Sequence, residues 1–225
     1  SNLRDLWCFD ISKKQLEIIC SCRGLNKLFI DGFKNYSPVC LTKVSTLEVL
    51  SLERCSEVEW LNELTVCGNL KGLGIINFKH MHSIQYISEL TELRNLAIEG
   101  GMMTRMTIDT LEPISNLRKL EVLDLANLKV RDESLRPLGN LQQLRNLNIA
   151  NFYPMEEFAW LSGRLKNTRC TWFSPYINFE YSPCKKCGRN TMVMLTGKRK
   201  PNLCKQCDSA RLAKHVAAFE AAASN

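Results

Sequence analysis

The stretch Leu111-Glu112-Pro113-Ile114-Ser115-Asn116-Leu117-Arg118-Lys119-Leu120-Glu121-Val122-Leu123-Asp124-Leu125 decides the fold. It ends on Leu-x-x-Leu-x-Leu, and that pattern returns along almost the whole chain. Eight copies begin at Leu3, Leu25, Leu47, Leu70, Leu93, Leu120, Leu144 and Leu165, in steps of 22, 22, 23, 23, 27, 24 and 21 residues. A unit this short cannot bury its own apolar face, so neighbouring units must stack into one continuous core. The alternating end of each copy predicts a short strand, and stacking predicts a ladder of parallel strands. Further apolar positions at three-residue spacing, such as Ile84, Ile87 and Leu90 or Leu135, Leu138 and Leu141, predict 3₁₀ turns or short helices on the opposite, convex side.

The pattern and its period are the leucine-rich-repeat signature. The copy at 111–125 resembles the 22-residue repeats of internalin-like proteins, and the resemblance covers about residues 3–173. It implies an α/β solenoid of about eight repeats, with a concave strand face suited to recognition rather than catalysis. That family usually has Asn three residues after the last strand leucine, where its amide bonds the neighbouring turn. Here Phe33, Cys55, Phe78, Gly101, Leu128 and Phe152 stand at that position, so an apolar or aromatic stack is expected to replace the amide ladder. The longest step contains Gly100–Ile108, expected to bulge as a loop from the end of the fifth strand.

Alternation across a strand also identifies the outward side chains. Trp7, Phe9 and Phe29 form an aromatic group at the N-terminal end, and Asp31, Glu53 and Glu99 form a partial acidic row. Exposed aromatics on a concave face are candidate anchors for a protein partner. The competing explanation is cover by a segment ahead of Leu3. The carboxylates favour a basic partner, if they are more than a solvated face.

A second signal lies near the C-terminus. Cys184-Lys185-Lys186-Cys187 and Cys204-Lys205-Gln206-Cys207 form C-x2-C-x16-C-x2-C. Two such pairs at this separation point to one structural Zn²⁺ held by four thiolates, ahead of a redox dithiol or an iron–sulfur centre. The segment is similar to GATA-type zinc fingers in its C-x2-C pairs, Thr191, Gly197 and Leu203, and follows a treble-clef order of knuckle, hairpin, knuckle and helix. It lacks that family's central Trp-Arg pair, so DNA reading does not carry over. The expected organisation is a solenoid over residues 1–175 and a zinc module over 176–225 that caps it, joined by the aromatic run Trp172–Pro183.

The chain has 225 residues, 45% of them hydrophobic and 24% charged, which is an ordinary globular composition. Of its net charge of +7, the last 50 residues carry +6, through Lys185, Lys186, Arg189, Lys198, Arg199 and Lys200 among others. Such a cluster can bind a phosphate backbone, which keeps nucleic-acid binding as the alternative function. No apolar run is long enough to span a membrane, and no signal peptide is visible. The other seven cysteines fit core packing as free thiols, which points to a cytoplasmic setting. No enzyme is expected and no small-molecule substrate. His80 and His82 lack suitable partners, His215 is expected on a helix surface, and no phosphate loop or nucleophile elbow is present. The favoured reading is a non-enzymatic protein-interaction module with a zinc cap.

Overall fold

The computed structural model describes residues 3–32, 37–55, 59–179 and 183–225. Seven strands form one sheet, all neighbours parallel and in sequence order: β1 (Asp5–Phe9), β2 (Lys27–Asp31), β3 (Val49–Glu53), β4 (Gly72–Ile76), β5 (Asn95–Glu99), β7 (Val122–Leu125) and β9 (Asn146–Ile149). The inserted segment supplies β6 (Met106–Ile108), which pairs in parallel with β8 (Leu128–Val130) in a small second sheet. The convex side carries α1 (Lys13–Cys20), 3₁₀ turns at Val39–Lys43, Glu59–Val66, Gln85–Glu89, Glu112–Asn116 and Arg136–Asn140, and α2 (Met155–Arg164). Pro113 and Pro137 start two of these turns with a preset φ, at a position where a missing N–H costs little.

Register places the repeat leucines directly above one another. Leu6, Leu28, Leu50, Leu73, Leu96, Leu123 and Leu147 are successive partners across the sheet. From Leu28 onward every one of them is buried, and the convex residues Leu41, Ile87, Ile114 and Leu138 pack into the same core. The eighth copy departs from expectation. Only Arg169 forms a parallel bridge, with Asn146, and the chain then turns through Cys170 and Phe173. Trp172 ends the stack by donating its indole N–H to the Ile149 carbonyl at 2.8 Å.

The strand ends turn through left-handed residues Asp10, Gly32, Arg54, Asn77 and Asn127. Each of the first four donates its N–H to the next repeat, for example Asn77 to Glu99 at 2.8 Å. One position further on, Cys55, Phe78 and Leu128 are buried as an apolar stack, while Phe33 lies outside the described residues. Gly101 interrupts this stack. There the Asn127 amide donates to the carbonyls of Gly101 (2.7 Å) and Thr104 (3.1 Å), so one amide bridge returns from a neighbouring position. The insertion is therefore partly structural: Met106 and Ile108 are buried, while its tip, residues 102–105, stands in solvent.

After the solenoid, β10 (Tyr176–Asn178), β11 (Met192–Leu195) and β12 (Asn202–Cys204) form an antiparallel sheet, followed by α3 (Ser209–Ala223). Val193, Leu195, Leu203 and Leu212 make a small core of their own. Phe219 near the end of α3 belongs to the main core instead. Leu123 has no exposed surface and sits between Leu96 and Leu147. Leu123→Ala is expected to lower unfolding free energy by about 2–5 kcal/mol, read from urea denaturation.

Candidate functional site

The two cysteine knuckles are built from ordinary turn chemistry. Cys184 accepts the Gly188 N–H at 2.8 Å and donates its own N–H to Arg189. Gly188 takes a φ of 68°, the left-handed conformation that glycine accepts without strain. In the second knuckle, the Asp208 N–H donates to the Cys204 carbonyl, and the Asp208 carboxylate accepts the Cys204 N–H at 3.0 Å. Asp208 thus braces the knuckle instead of capping the first turn of α3 with its side chain.

These turns bring all four sulfurs within 4.8 Å of one another. Cys184 and Cys207 lie 3.9 Å apart, and Cys187 and Cys204 3.8 Å. A tetrahedron with metal–sulfur bonds of about 2.3 Å has edges of about 3.8 Å, so the spacing suits a four-thiolate ion. Thr191 adds a contact whose role the sequence pattern did not reveal: its hydroxyl lies 3.1 Å from Cys204 Sγ. The N–H of Cys207 and this hydroxyl draw the Cys204 thiol down to about 6. Cys187 hydrogen-bonds Cys207 and pushes that thiol up to about 12. The polar environment therefore favours charge on a sulfur buried by the fold, as a thiolate ligand requires.

The four-cysteine segment touches the solenoid through specific polar contacts. Asn151 donates to the Leu195 carbonyl at 3.0 Å and accepts the Gly197 N–H at 2.7 Å. The Lys198 N–H donates to the Tyr153 carbonyl, and its ammonium pairs with Glu133. A side chain on Gly197 would meet Met155, and its φ of 111° also favours glycine. His215 is buried rather than on the surface, with Nε2 2.9 Å from the Pro175 carbonyl. Desolvation lowers its pKa, which fits a neutral ring donating from Nε2.

The basic candidates are partly spent on internal contacts. Lys186 pairs with Asp208, Arg189 with Gln206, and Lys198 with Glu133. Lys185, Arg199 and Lys200 are exposed. No feature of this arrangement supports nucleic-acid binding.

On the concave face, Trp7 and Phe29 pack with ring centroids 4.7 Å apart and planes tilted by 39°. Trp7 is 67% exposed and Phe9 66%. With Asp31, Glu53 and Ile76 they line a hollow of about 240 Å³. Along the same register row the floor shrinks to Ser51, Gly74 and Ala97, then turns polar at Asp124 and Asn148. Arg54 donates to Asp31 at 2.5 Å, so Asp31 already faces a cation. Glu53 and Glu99 lie further along, and Asp124 joins them electrostatically. Partial burial, then Asp124 and Glu53, pushes Glu99 up to about 7. Asp124 could have been found from its outward register position.

No family model matches the chain, and no curated protein matches it. Solved structures do. The internalin InlF of Listeria monocytogenes aligns at 20% identity and a TM-score of 0.53, covering 68% of this chain and 42% of that one. Internalin C2 of the same organism aligns at 20% identity and 0.53, covering 74% and 69%. The Arabidopsis thaliana receptor-kinase ectodomain GASSHO1/SCHENGEN3, in complex with Casparian strip integrity factor 2, aligns at 19% identity and 0.53, covering 73% and 20%. The chain thus spans less than half the length of InlF. The likeness is one of fold: this is a leucine-rich-repeat architecture with a parallel strand ladder, followed by a four-cysteine cluster able to hold a metal ion.

Because the folded pKa of Glu99 lies above the ordinary carboxylate value, the native state holds an extra proton between about pH 4.5 and 7. This group's contribution to stability therefore falls as pH rises through that window. Glu99→Gln is expected to melt increasingly above the parent as pH is raised, measured by thermal unfolding across the window.

Proposed function

We propose that the chain is a non-enzymatic interaction module that binds a protein partner on its concave face. The observation that carries this reading is the packed, solvent-facing Trp7–Phe29 pair with Phe9 beside it and Glu53 and Glu99 beyond it. Rigid aromatics with an apolar body and little conformational freedom are the side chains that concentrate binding energy at interfaces. The carboxylates suit a partner with a basic rim around an apolar centre. The Casparian strip integrity factor 2 bound to the GASSHO1/SCHENGEN3 ectodomain is consistent with such use of a repeat scaffold.

The metal in this reading is one Zn²⁺ held by Cys184, Cys187, Cys204 and Cys207. When bound, it closes a four-sulfur shell with no position for a reacting water, so its contribution is structural. The reading divides the chain near residue 175, with the finger as the solenoid's C-terminal cap. Support comes from the Asn151, Tyr153 and Glu133 contacts and from Phe219, which crosses into the main core.

Metal analysis of purified protein is expected to find one zinc per chain, and Cys204→Ser to lose it with a marked drop in melting temperature. An unchanged melting curve would remove the cap. For the binding face, a protein retained from nuclease-treated lysate is expected to lose affinity by roughly 10-fold or more on Trp7→Ala or Phe29→Ala. Melting curves of the variants check that the fold is kept. Retention that disappears with nuclease, or that ignores both substitutions, would overturn it.

A further inference from the structure

The convex flank of the first two repeats carries a thiol pair used by neither the metal centre nor the concave face. Cys20 is the last residue of α1, and Cys40 lies in the 3₁₀ turn at Val39–Lys43 of the next repeat. Their sulfurs are 2.6 Å apart. The sulfurs of the four-cysteine cluster, which share only hydrogen bonds, stand 3.8 and 3.9 Å apart. An approach this close leaves only a few tenths of an ångström to a covalent S–S bond of about 2.05 Å.

We propose that Cys20 and Cys40 form a disulfide that clamps the first repeat to the second. Core packing holds both ends of the clamp. Leu16 on α1 and Leu41 beside Cys40 are buried, which anchors in the core the two elements that carry the sulfurs. Both cysteines are only half-buried, which leaves them open to a small oxidant. The contact between the two thiols draws the Cys40 pKa below its ordinary value and raises that of Cys20. Cys40 is then the attacking thiolate.

With a disulfide oxidant such as glutathione disulfide, Cys40 attacks one oxidant sulfur and releases a glutathione thiolate, which takes up the Cys40 proton. Cys20 then loses its proton, attacks the Cys40 sulfur of the mixed disulfide and releases the second glutathione. Two protein thiols are oxidised, one oxidant disulfide is reduced, and two glutathione thiols leave. In a reducing compartment the pair returns to two thiols. The bond would fix the end of the solenoid that carries Trp7 and Phe29.

Cys22 is the control, because it lies beside Cys20 in sequence and is also half-buried. The whole chain would be equilibrated in glutathione buffers of rising oxidised fraction, alkylated, digested with trypsin and read by mass spectrometry. Peptides 15–23 and 35–43 are expected as one linked species, lighter by two hydrogens, with fragment ions assigning the bond to Cys20. The link is expected to persist in Cys22→Ser and to be absent in Cys40→Ser. The oxidised parent should melt above the reduced one, whereas Cys40→Ser should melt alike in both buffers. Cys20 and Cys40 alkylated throughout the series, or Cys40 linked to Cys22 in the parent, would overturn the assignment. A Cys20–Cys40 link without a rise in melting temperature would overturn the clamp.

Discussion

Everything in this molecule depends on the vertical stacking of one inward leucine per repeat, from Leu28 through Leu147. The strand in any single repeat is only four or five residues long and could not exist alone. Its backbone groups are satisfied by the strands on either side, and its leucine is dry only because another leucine lies above and below it. Stability is therefore distributed along the chain, and the two ends are the vulnerable places. Beyond the last strand, Trp172 bonds the Ile149 carbonyl and Asn151 bonds the β11–β12 segment. Among the described residues, β1 pairs with β2 alone.

That asymmetry gives the outward positions their meaning. A strand ladder whose inner face is committed to leucine leaves the other face free to vary. Here it carries aromatics at one end, small residues in the middle and polar groups beyond. The small residues Ser51, Gly74 and Ala97 leave room above the floor, and the aromatic pair forms a wall beside it. Partial burial, and after it the neighbouring carboxylates Asp124 and Glu53, raise Glu99.

The cysteines fall into groups with different physics. Four sit on knuckle turns, where the Cys207 N–H and the Thr191 hydroxyl approach the Cys204 sulfur. Cys55 packs as a small apolar side chain in the stack behind the strand ends. Burial alone raises the Cys67 thiol and dominates the rise at Cys170, as expected for inert core thiols. Cys20 and Cys40 differ from both groups, because each, while packed against the edge of the core, faces another thiol.

Sequence by itself determined whatever is encoded in local period. The leucine spacing specified the ladder, its parallel sense and its register, and C-x2-C twice specified four converging sulfurs. These could be read because neighbouring residues on one strand or one turn decide them. Tertiary structure decided whatever depends on residues far apart in the chain. The insertion became β6 because Leu128–Val130 offered it an edge, and the aromatic join became the third strand of the four-cysteine segment because β11 did the same. His215 was buried by Pro175, 40 residues away, and three cations of that segment were paired within the fold. Cys20 met Cys40 only when α1 packed on the next repeat. Such pairings depend on the path of the whole backbone, and no pattern within either segment carries them.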